Sequence, residues 1–215
     1  MALNTYSALK ASIANWLNRT DLTDEIVDFI SLTEADFNSK LRIRKMISET
    51  TITIDAETED LPTGFLQIRD FFIVSGSTKL PLRYMTPSQM DSIKGTSTTG
   101  TPEVYTILGD KLRFAPKPDS TYTATLNFYK KFDALSDSNT SNFILSDHPS
   151  IYLYGALYHA TNFLGGIDKM LVQKWQQMYA TAMERLERND REDQFSGSPL
   201  QVRSEDTIAS NFGGR

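Results

Sequence analysis

The chain contains two histidines, His148 and His159, and both lie in the stretch 146-SDHPSIYLYGALYHATNFLGG-166. Imidazole is a frequent zinc ligand and the side chain that most readily transfers protons near neutral pH. If this stretch is helical, the two rings share one face but lie ~16 Å apart along the axis. Ligands of one zinc ion lie about 2 Å from it, so the two rings are too far apart to share a metal. We interpret His148 as a helix-cap residue and His159 as a surface or core residue of a helical bundle.

Other catalytic signatures are weak. Carboxylate pairs such as Glu34 with Asp36, or Asp190 with Glu192, lack the spacing rule that would indicate a glycosidase dyad, and we interpret them as solvated helix faces. The sequence has neither a G-x-S-x-G motif nor a glycine-rich phosphate loop. It has no cysteine, which excludes disulfides, thiolate zinc sites and cysteine nucleophiles. We therefore expect no enzyme activity, no catalytic residue, no cofactor and no metal site.

Two segments could bind nucleic acid. The basic run 42-RIRK-45 could contact phosphates, and the aromatic residues of 121-TYTATLNFYKKF-132 could stack on bases. Basic residues are also common at helix C-termini, and a strand with one buried face accounts for the aromatic residues. The formal net charge of −5 argues against a protein whose main task is to hold nucleic acid, although nucleic acid could still pass it.

The composition is that of an ordinary folded protein. Of 215 residues, 40% are hydrophobic and 23% are charged, which is close to the usual values for globular domains. The first residues lack the basic region and unbroken apolar run of a signal peptide. No window approaches the roughly 18 apolar residues of a membrane span. We expect a protein that is made in a cytoplasm and is not secreted by the usual route.

Apolar residues at helical spacing predict four long helices. They are a helix that starts near residue 6 and helices over 23–45, 149–164 and 168–190. Thr23 is the expected N-cap of the second helix, whose negative end would carry the basic run. Pro149 suits the first turn of the third helix, and the pair Gly165 and Gly166 ends it.

The middle of the chain predicts antiparallel strands, because short β-branched and aromatic runs alternate there with turn formers. The predicted strands are 50–54, 65–74, 79–84, 103–108, 111–115 and 121–132. Gly109 and Asp110 form the turn of a hairpin. A short helix over 87–94, capped by Thr86, interrupts the strands.

These elements predict an α+β fold. Helices within 5–46 and 147–192 would form an antiparallel helical bundle that carries a β-rich insertion over 48–135. Residues 1–195 would form one domain. The remaining 196–215 show no period and are predicted to form an extended C-terminal tail.

The order of short phrases along the chain gives a further indication. They are 6-YSALKASIANWLNRTDLTDEIVDFISLTEADFNSKLR-42, 61-LPTGFLQIRDFFI-73, 81-PLRYMTPSQMDSI-93, 101-TPEVYTILGDKLRFAPKPDSTYTATLNFYKKFDALSD-137, 142-NFILSDHPSIYLYGALYHATNFLG-165 and 196-SGSPL-200. None of them is a catalytic fingerprint, and several encode turns. In this order they resemble the adaptor proteins beneath the portal of tailed bacteriophages, also called head-completion or head-to-tail connector proteins.

The resemblance implies a structural virion protein at the head-tail interface. Its members commonly form a ring of twelve copies that docks below the portal protein, and DNA passes through the ring without specific binding. The other side contacts tail nozzle, tail tube or fibre proteins. The C-terminal arm typically reaches the portal, so the interaction candidates in the tail are Leu200, Val202, Arg203, Ile208 and Phe212. Candidates for charge at a lateral contact or along a DNA channel are Arg42, Arg44 and Lys45.

Two alternatives stay open. Other neck and tail proteins, such as stoppers and tail terminators, also form rings, and the protein that co-purifies with the chain distinguishes them. Some adaptor-like tail proteins are suspected of degrading cell wall, and a peptidoglycan lysis assay tests that activity.

Overall fold

The computed structural model describes residues 3–93 and 99–195 of the chain. The described residues form six α-helices and eight strands in two sheets, which confirms the mixed α+β class. The helices are α1 (Tyr6–Leu17), α2 (Thr23–Lys40), α3 (Pro87–Ile93), α4 (Phe143–Asp147), α5 (Pro149–Leu164) and α6 (Lys169–Phe195). The strands are β1 (Ile47–Ile54), β2 (Thr58–Asp60), β3 (Phe65–Ser75), β4 (Thr78–Pro81), β5 (Arg83–Tyr84), β6 (Val104–Leu108), β7 (Lys111–Ala115) and β8 (Tyr122–Lys130).

The long helices pack into one apolar core. Helix α5 contacts α1, α2 and α6, and it buries residues on most of its circumference. Its Gly155 allows the close approach of two neighbours, because an added Cβ would lie 2.4 Å from Thr33 Cγ2 and 3.1 Å from Tyr179 Cε2. Side chains from all four long helices are buried together: Tyr6, Leu9, Ile13, Ile26, Phe29, Ile30, Phe37, Ile151, Tyr152, Ala156, Leu157, Trp175, Tyr179, Met183 and Leu186.

The two sheets share a second core. One sheet has the order β1-β8-β3-β4 and the other β2-β7-β6-β5, with antiparallel pairing except between β5 and β6. The predicted hairpin is confirmed, since β6 pairs with β7 across Gly109 and Asp110. Buried side chains from both sheets meet in one cluster: Ile54, Phe71, Ile73, Leu82, Tyr105, Leu112, Phe114, Ala124, Leu126 and Phe128. Strand β8 therefore has one buried face, as the alternation of its aromatic segment predicts.

The second helix ends earlier than predicted. It stops at Lys40, because Leu41 adopts extended backbone geometry. Burial of Leu41 and Ile43 drives this change, since the extended chain places both side chains in the helical core before β1 begins. Thr23 is the first helical residue rather than the N-cap, a position that Leu22 occupies without a side-chain hydrogen bond.

Three short elements also differ from the prediction. The segment 79–84 is two strands in different sheets, because β4 pairs with β3 while β5 pairs with β6. Strand β2 lies in the acidic run 55–60, whose polar composition gives no strand signal. Helix α4 occupies what the sequence indicates only as a corner, and the Asn142 side chain accepts a hydrogen bond from the Leu145 N–H there.

Within the described ranges, no helix has the length and apolarity needed to span a membrane. The predicted tail over 196–215, with all its candidate interaction residues, lies outside the described residues.

Candidate interaction surfaces

His148 marks the junction between α4 and α5. It is the C-cap of the first and the N-cap of the second, so the prediction of a cap-region residue is confirmed. Its backbone N–H donates to Ile144 O at 2.7 Å, and its carbonyl accepts from the Ile151 N–H at 3.0 Å. Burial lowers the pKa of His148, and the Asp147 carboxylate opposes part of that shift. The residue acts through its backbone in joining the two helices.

His159 lies on α5 beside the end of α2. Its Nε2 is 3.3 Å from Asp36 Oδ2, and the same oxygen accepts a hydrogen bond from the Tyr179 hydroxyl at 3.4 Å. Lys40 Nζ is also 3.3 Å from this oxygen. Burial, followed by the Asp36 charge, raises the pKa of Tyr179. The cluster ties α2, α5 and α6 together, and no group of three or more possible metal-ligating residues occurs in the described part of the chain.

The basic run is bound largely within the chain. Arg42 donates to Asn38 O and Leu41 O at 2.9 and 2.6 Å, so it satisfies carbonyls at the end of α2. Arg44 forms salt bridges with Asp190 and Asp193 at 3.4 and 3.2 Å.

Lys45 completes this internal pairing, since its Nζ lies 2.5 Å from Asp147 Oδ2. The Lys45 ammonium lowers the pKa of Asp147. These contacts favour a structural role for the basic run, which fastens the chain after α2 to α4 and to the end of α6.

Glu34 is a charged residue that is buried in the helical core, with 6% of its surface exposed. Its Oε1 accepts hydrogen bonds from the Leu135 N–H at 2.8 Å and from the Tyr152 hydroxyl at 2.9 Å. Asn142 Nδ2 in turn donates to the Tyr152 hydroxyl at 2.6 Å. Burial raises the pKa of Glu34 above its ordinary value. The network joins α2 and α5 to the chain that returns from the sheets.

Three of the carboxylates considered as catalytic pairs have separate structural partners. Glu34 is enclosed in the core, whereas Asp36 lies in the partly buried cluster with His159. Asp190 accepts a hydrogen bond from the Arg44 backbone N–H at 3.0 Å. Asp190 and Glu192 both line a cleft of about 270 Å³, but Arg44 lies in the same cleft and pairs with the Asp190 carboxylate.

An exposed face with acidic and apolar residues runs along the first half of α2. We call Asp24, Val27, Asp28 and Leu32 of α2, with Phe163 of α5, the acidic face. Leu32 and Phe163 are 51% and 57% exposed, although both are large apolar residues. A groove of about 330 Å³ lies between α2 and α5, lined by Glu25, Asp28, Phe29, Leu32, His159, Asn162 and Phe163. From residue 23 to residue 39 the sequence contains no basic residue.

A second exposed face lies at the start of α6. We call Lys169, Met170, Leu171 and Lys174 the basic face. Met170 is 77% exposed, and Leu171 and both lysines are also exposed. The sequence contains no acidic residue from 169 to 183. None of the charged groups of the acidic and basic faces forms an ion pair within the described part of the chain.

The sequence analysis predicts neither face, because the apolar periodicity of a helix indicates only its buried side. Exposed apolar residues such as Leu32 and Met170 lie on the polar side of their helices, where they form no periodic pattern. The signal available in the sequence was the separation of charge, with only acidic charged residues over 23–39 and only basic charged residues over 169–183.

The family comparison agrees with the resemblance noted from the sequence. A family model described as SU10 adaptor protein matches residues 4–203. The matched range contains every helix and strand described above. No curated protein matches the chain.

Proposed function

The chain belongs to the SU10 adaptor protein family, and from this membership we propose that it forms a ring beneath the portal of a bacteriophage and connects the head to the tail. The chain is a phage adaptor protein. The observation that carries the proposal is that the match extends over the entire described fold rather than over one motif. The ring, its position and the passage of DNA are the proposed parts.

In this proposal residues 1–195 form one adaptor domain. The long helices form an antiparallel bundle, and the two sheets are an insertion between α2 and α4. The shared core of α1, α2, α5 and α6 supports this division, since the sheets have a separate core. The protein acts by packing and docking, with no catalytic step.

The ring would contain twelve copies and close by rotation, so that each copy presents two different complementary surfaces. Each copy has a formal charge of −5. Arg44 and Lys45, which could have attracted phosphates, are paired with carboxylates of the same chain. A ring with a net negative charge would let DNA slide, because tight phosphate binding requires an excess of basic residues.

The upper contact of the ring would be made by residues 196–215. We assign portal docking to this extension, with Leu200, Val202, Arg203, Ile208 and Phe212 as anchors, from the family resemblance and from its lack of amphipathic period. The lower surface would bind tail nozzle, tail tube or fibre proteins. The protein would thus be a virion component made in the host cytoplasm.

Co-expression with the portal protein of the same phage tests this function. We expect the two proteins to co-purify, and electron microscopy of the complex to show a ring of the chain below the portal. Binding to the tail tube protein without binding to the portal would contradict the adaptor position and favour a stopper or tail terminator.

A further inference from the structure

The acidic face of α2 and the basic face of α6 complement each other in charge and in apolar character. We propose that they are the two halves of the contact between neighbouring copies, with the acidic face of one chain against the basic face of the next. The inference rests on the proposed ring and names the surfaces that would close it.

The apolar content of the two faces is the first argument. Single exposed apolar residues are normal on soluble proteins, but groups of them indicate contact with another molecule. Leu32 and Phe163 are exposed beside one groove, Val27 is exposed on the same helix as Leu32, and Met170 and Leu171 are exposed together on α6. The groove beside Leu32 and Phe163 offers a recess into which an apolar side chain such as Met170 can insert.

The charges provide the second argument, because they select the partner. Glu25 and Asp28 place negative charge at the groove, while Lys169 and Lys174 flank the apolar residues of α6. Lys169 is the first residue of its helix, where the dipole disfavours a positive charge, and Asp168 beside it accepts a hydrogen bond from the Met170 N–H. A carboxylate from a neighbouring copy would add to the negative charge that Asp168 places at this helix start. Two acidic faces, or two basic faces, would bring like charges together at the rim, and this repulsion disfavours pairing of like faces.

The positions of the faces provide the third argument. Helix α5 packs against both α2 and α6, and its Gly155 meets Thr33 of the first and Tyr179 of the second. The acidic and basic faces are therefore distinct surfaces, carried by two different helices that both pack on α5. Two different patches on one chain give a head-to-tail contact, which closes into a ring when the rotation between copies allows it.

Cysteine cross-linking tests the pairing directly, because the natural chain has no cysteine. We would prepare Asp28→Cys, Lys174→Cys and the double variant in the full chain and treat each at high protein concentration with a short bismaleimide. We expect no dimer from either single variant alone, dimers from their mixture, and a ladder of multimers from the double variant. Ser39→Cys with Arg188→Cys, near the opposite ends of the same two helices, serves as a matched control and should give no dimer.

Charge exchange is the second test. Asp24→Lys/Asp28→Lys makes both faces basic, and Lys169→Glu/Lys174→Glu makes both faces acidic. In sedimentation at a protein concentration high enough for the natural chain to associate, each variant alone should self-associate at least about tenfold more weakly. An equimolar mixture should recover association, since alternating copies restore every contact and an even ring can close. Circular dichroism would check that each variant is folded.

The outcomes separate this inference from the proposed function. Dimers from Asp28→Cys alone or from Lys174→Cys alone would show like faces in contact and overturn the pairing. The pairing is also wrong if no variant cross-links, or if the charge exchange has no effect, even though rings appear on the portal. If the natural chain neither binds the portal nor forms rings with it, the proposed function fails whatever the cross-links show.

Discussion

His148 and His159 are held by different contacts, and neither set of contacts requires proton transfer or a metal. His148 joins two helices through its backbone, while His159 contributes its ring to the cluster around Asp36. We therefore expect His148→Ala and His159→Ala to assemble normally and to lose only about 1 kcal/mol in the free energy of unfolding. Thermal unfolding measures the loss of stability, and binding to the portal protein measures assembly. Loss of a bound metal or of an enzymatic activity in either variant would overturn this view.

Glu34 gives a sharper test at the residue scale, because two donors depend on its carboxylate. Glu34→Leu would leave the Leu135 N–H and the Tyr152 hydroxyl without this acceptor and should cost about 2–4 kcal/mol. Glu34→Gln keeps an acceptor oxygen and should change the free energy of unfolding at neutral pH by less than about 1 kcal/mol. Equal losses in the two variants, measured by urea unfolding, would show that the hydrogen bonds are not the stabilising feature.

The pH dependence of the same residue follows from its raised pKa. Burial makes the folded state bind this proton more readily than the unfolded state, whose carboxyl has the ordinary value of 4.5. The contribution of Glu34 to stability is therefore fully present below pH 4.5 and decreases as pH rises through the raised folded-state pKa. Urea unfolding of the natural chain and of Glu34→Gln across this interval should show the decrease in the natural chain alone. Parallel pH profiles would contradict the raised pKa.

The same residue shows what a sequence can indicate at this scale. The helical pattern predicts the inward position of Phe37 and Ile30, but it also assigns a carboxylate to the solvated side of the helix. Glu34 is buried because its partners come from residues 101 and 118 positions away, which no local pattern reveals.

Among the elements, α5 depends on a glycine for its position. A Cβ at Gly155 would lie 2.4 Å from Thr33 Cγ2 and would require a shift of a buried, β-branched side chain. We expect Gly155→Ala to cost about 1–3 kcal/mol from overpacking, which outweighs the gain of up to about 1 kcal/mol in helix propensity. Thermal unfolding would measure this loss.

Two further variants control this prediction. Thr33→Ser removes the obstructing methyl group while keeping the hydroxyl that donates to Phe29 O, so it should recover part of the loss in the double variant. Gly100→Ala adds a Cβ that meets only Pro116, at 3.9 Å, and should have little effect. Equal losses at the two glycines would show that the close helix approach is not the cause.

The accuracy of the sequence interpretation differs between elements for physical reasons. Long periodic helices and the hairpin at Gly109 and Asp110 were predictable, because their signals are local. The end of α2 was not, since burial of Leu41 and Ile43 outweighs a helix-favouring basic run. Strand β2 forms because it pairs with β7. Thr58 pairs with Arg113, more than fifty positions along the chain, and no local pattern indicates such a partner.

At the scale of the whole molecule, the first expectation concerns assembly. The described surface carries small exposed apolar groups rather than one long run, so a single lateral contact should be weak. We expect the isolated chain to be largely monomeric at micromolar concentration and to form rings on the portal as a template. Sedimentation of the pure protein measures this, and a stable closed ring without portal would show that no template is required.

The last prediction separates folding from docking. The buried side chains of α6 in the helical core are Trp175, Tyr179, Met183 and Leu186, all well before residue 195. Deleting residues 196–215 should therefore leave the melting temperature of the monomer nearly unchanged. The proposed anchors in the deleted segment would each contribute about 1–3 kcal/mol if buried on the portal. Ordering the backbone costs about 1–2 kcal/mol per residue, so main-chain hydrogen bonds must help to hold it.

Truncation should thus greatly weaken portal binding, which a pull-down with the portal protein measures alongside thermal unfolding. Replacing Leu200, Val202, Ile208 and Phe212 by Ser in the full-length chain is the matched control, because it keeps the length of the segment and removes its apolar side chains. We expect both variants to lose portal binding, since side-chain burial must offset the ordering of the backbone. If the truncated chain binds as tightly as the natural one, the portal contact lies on the helices or the sheets.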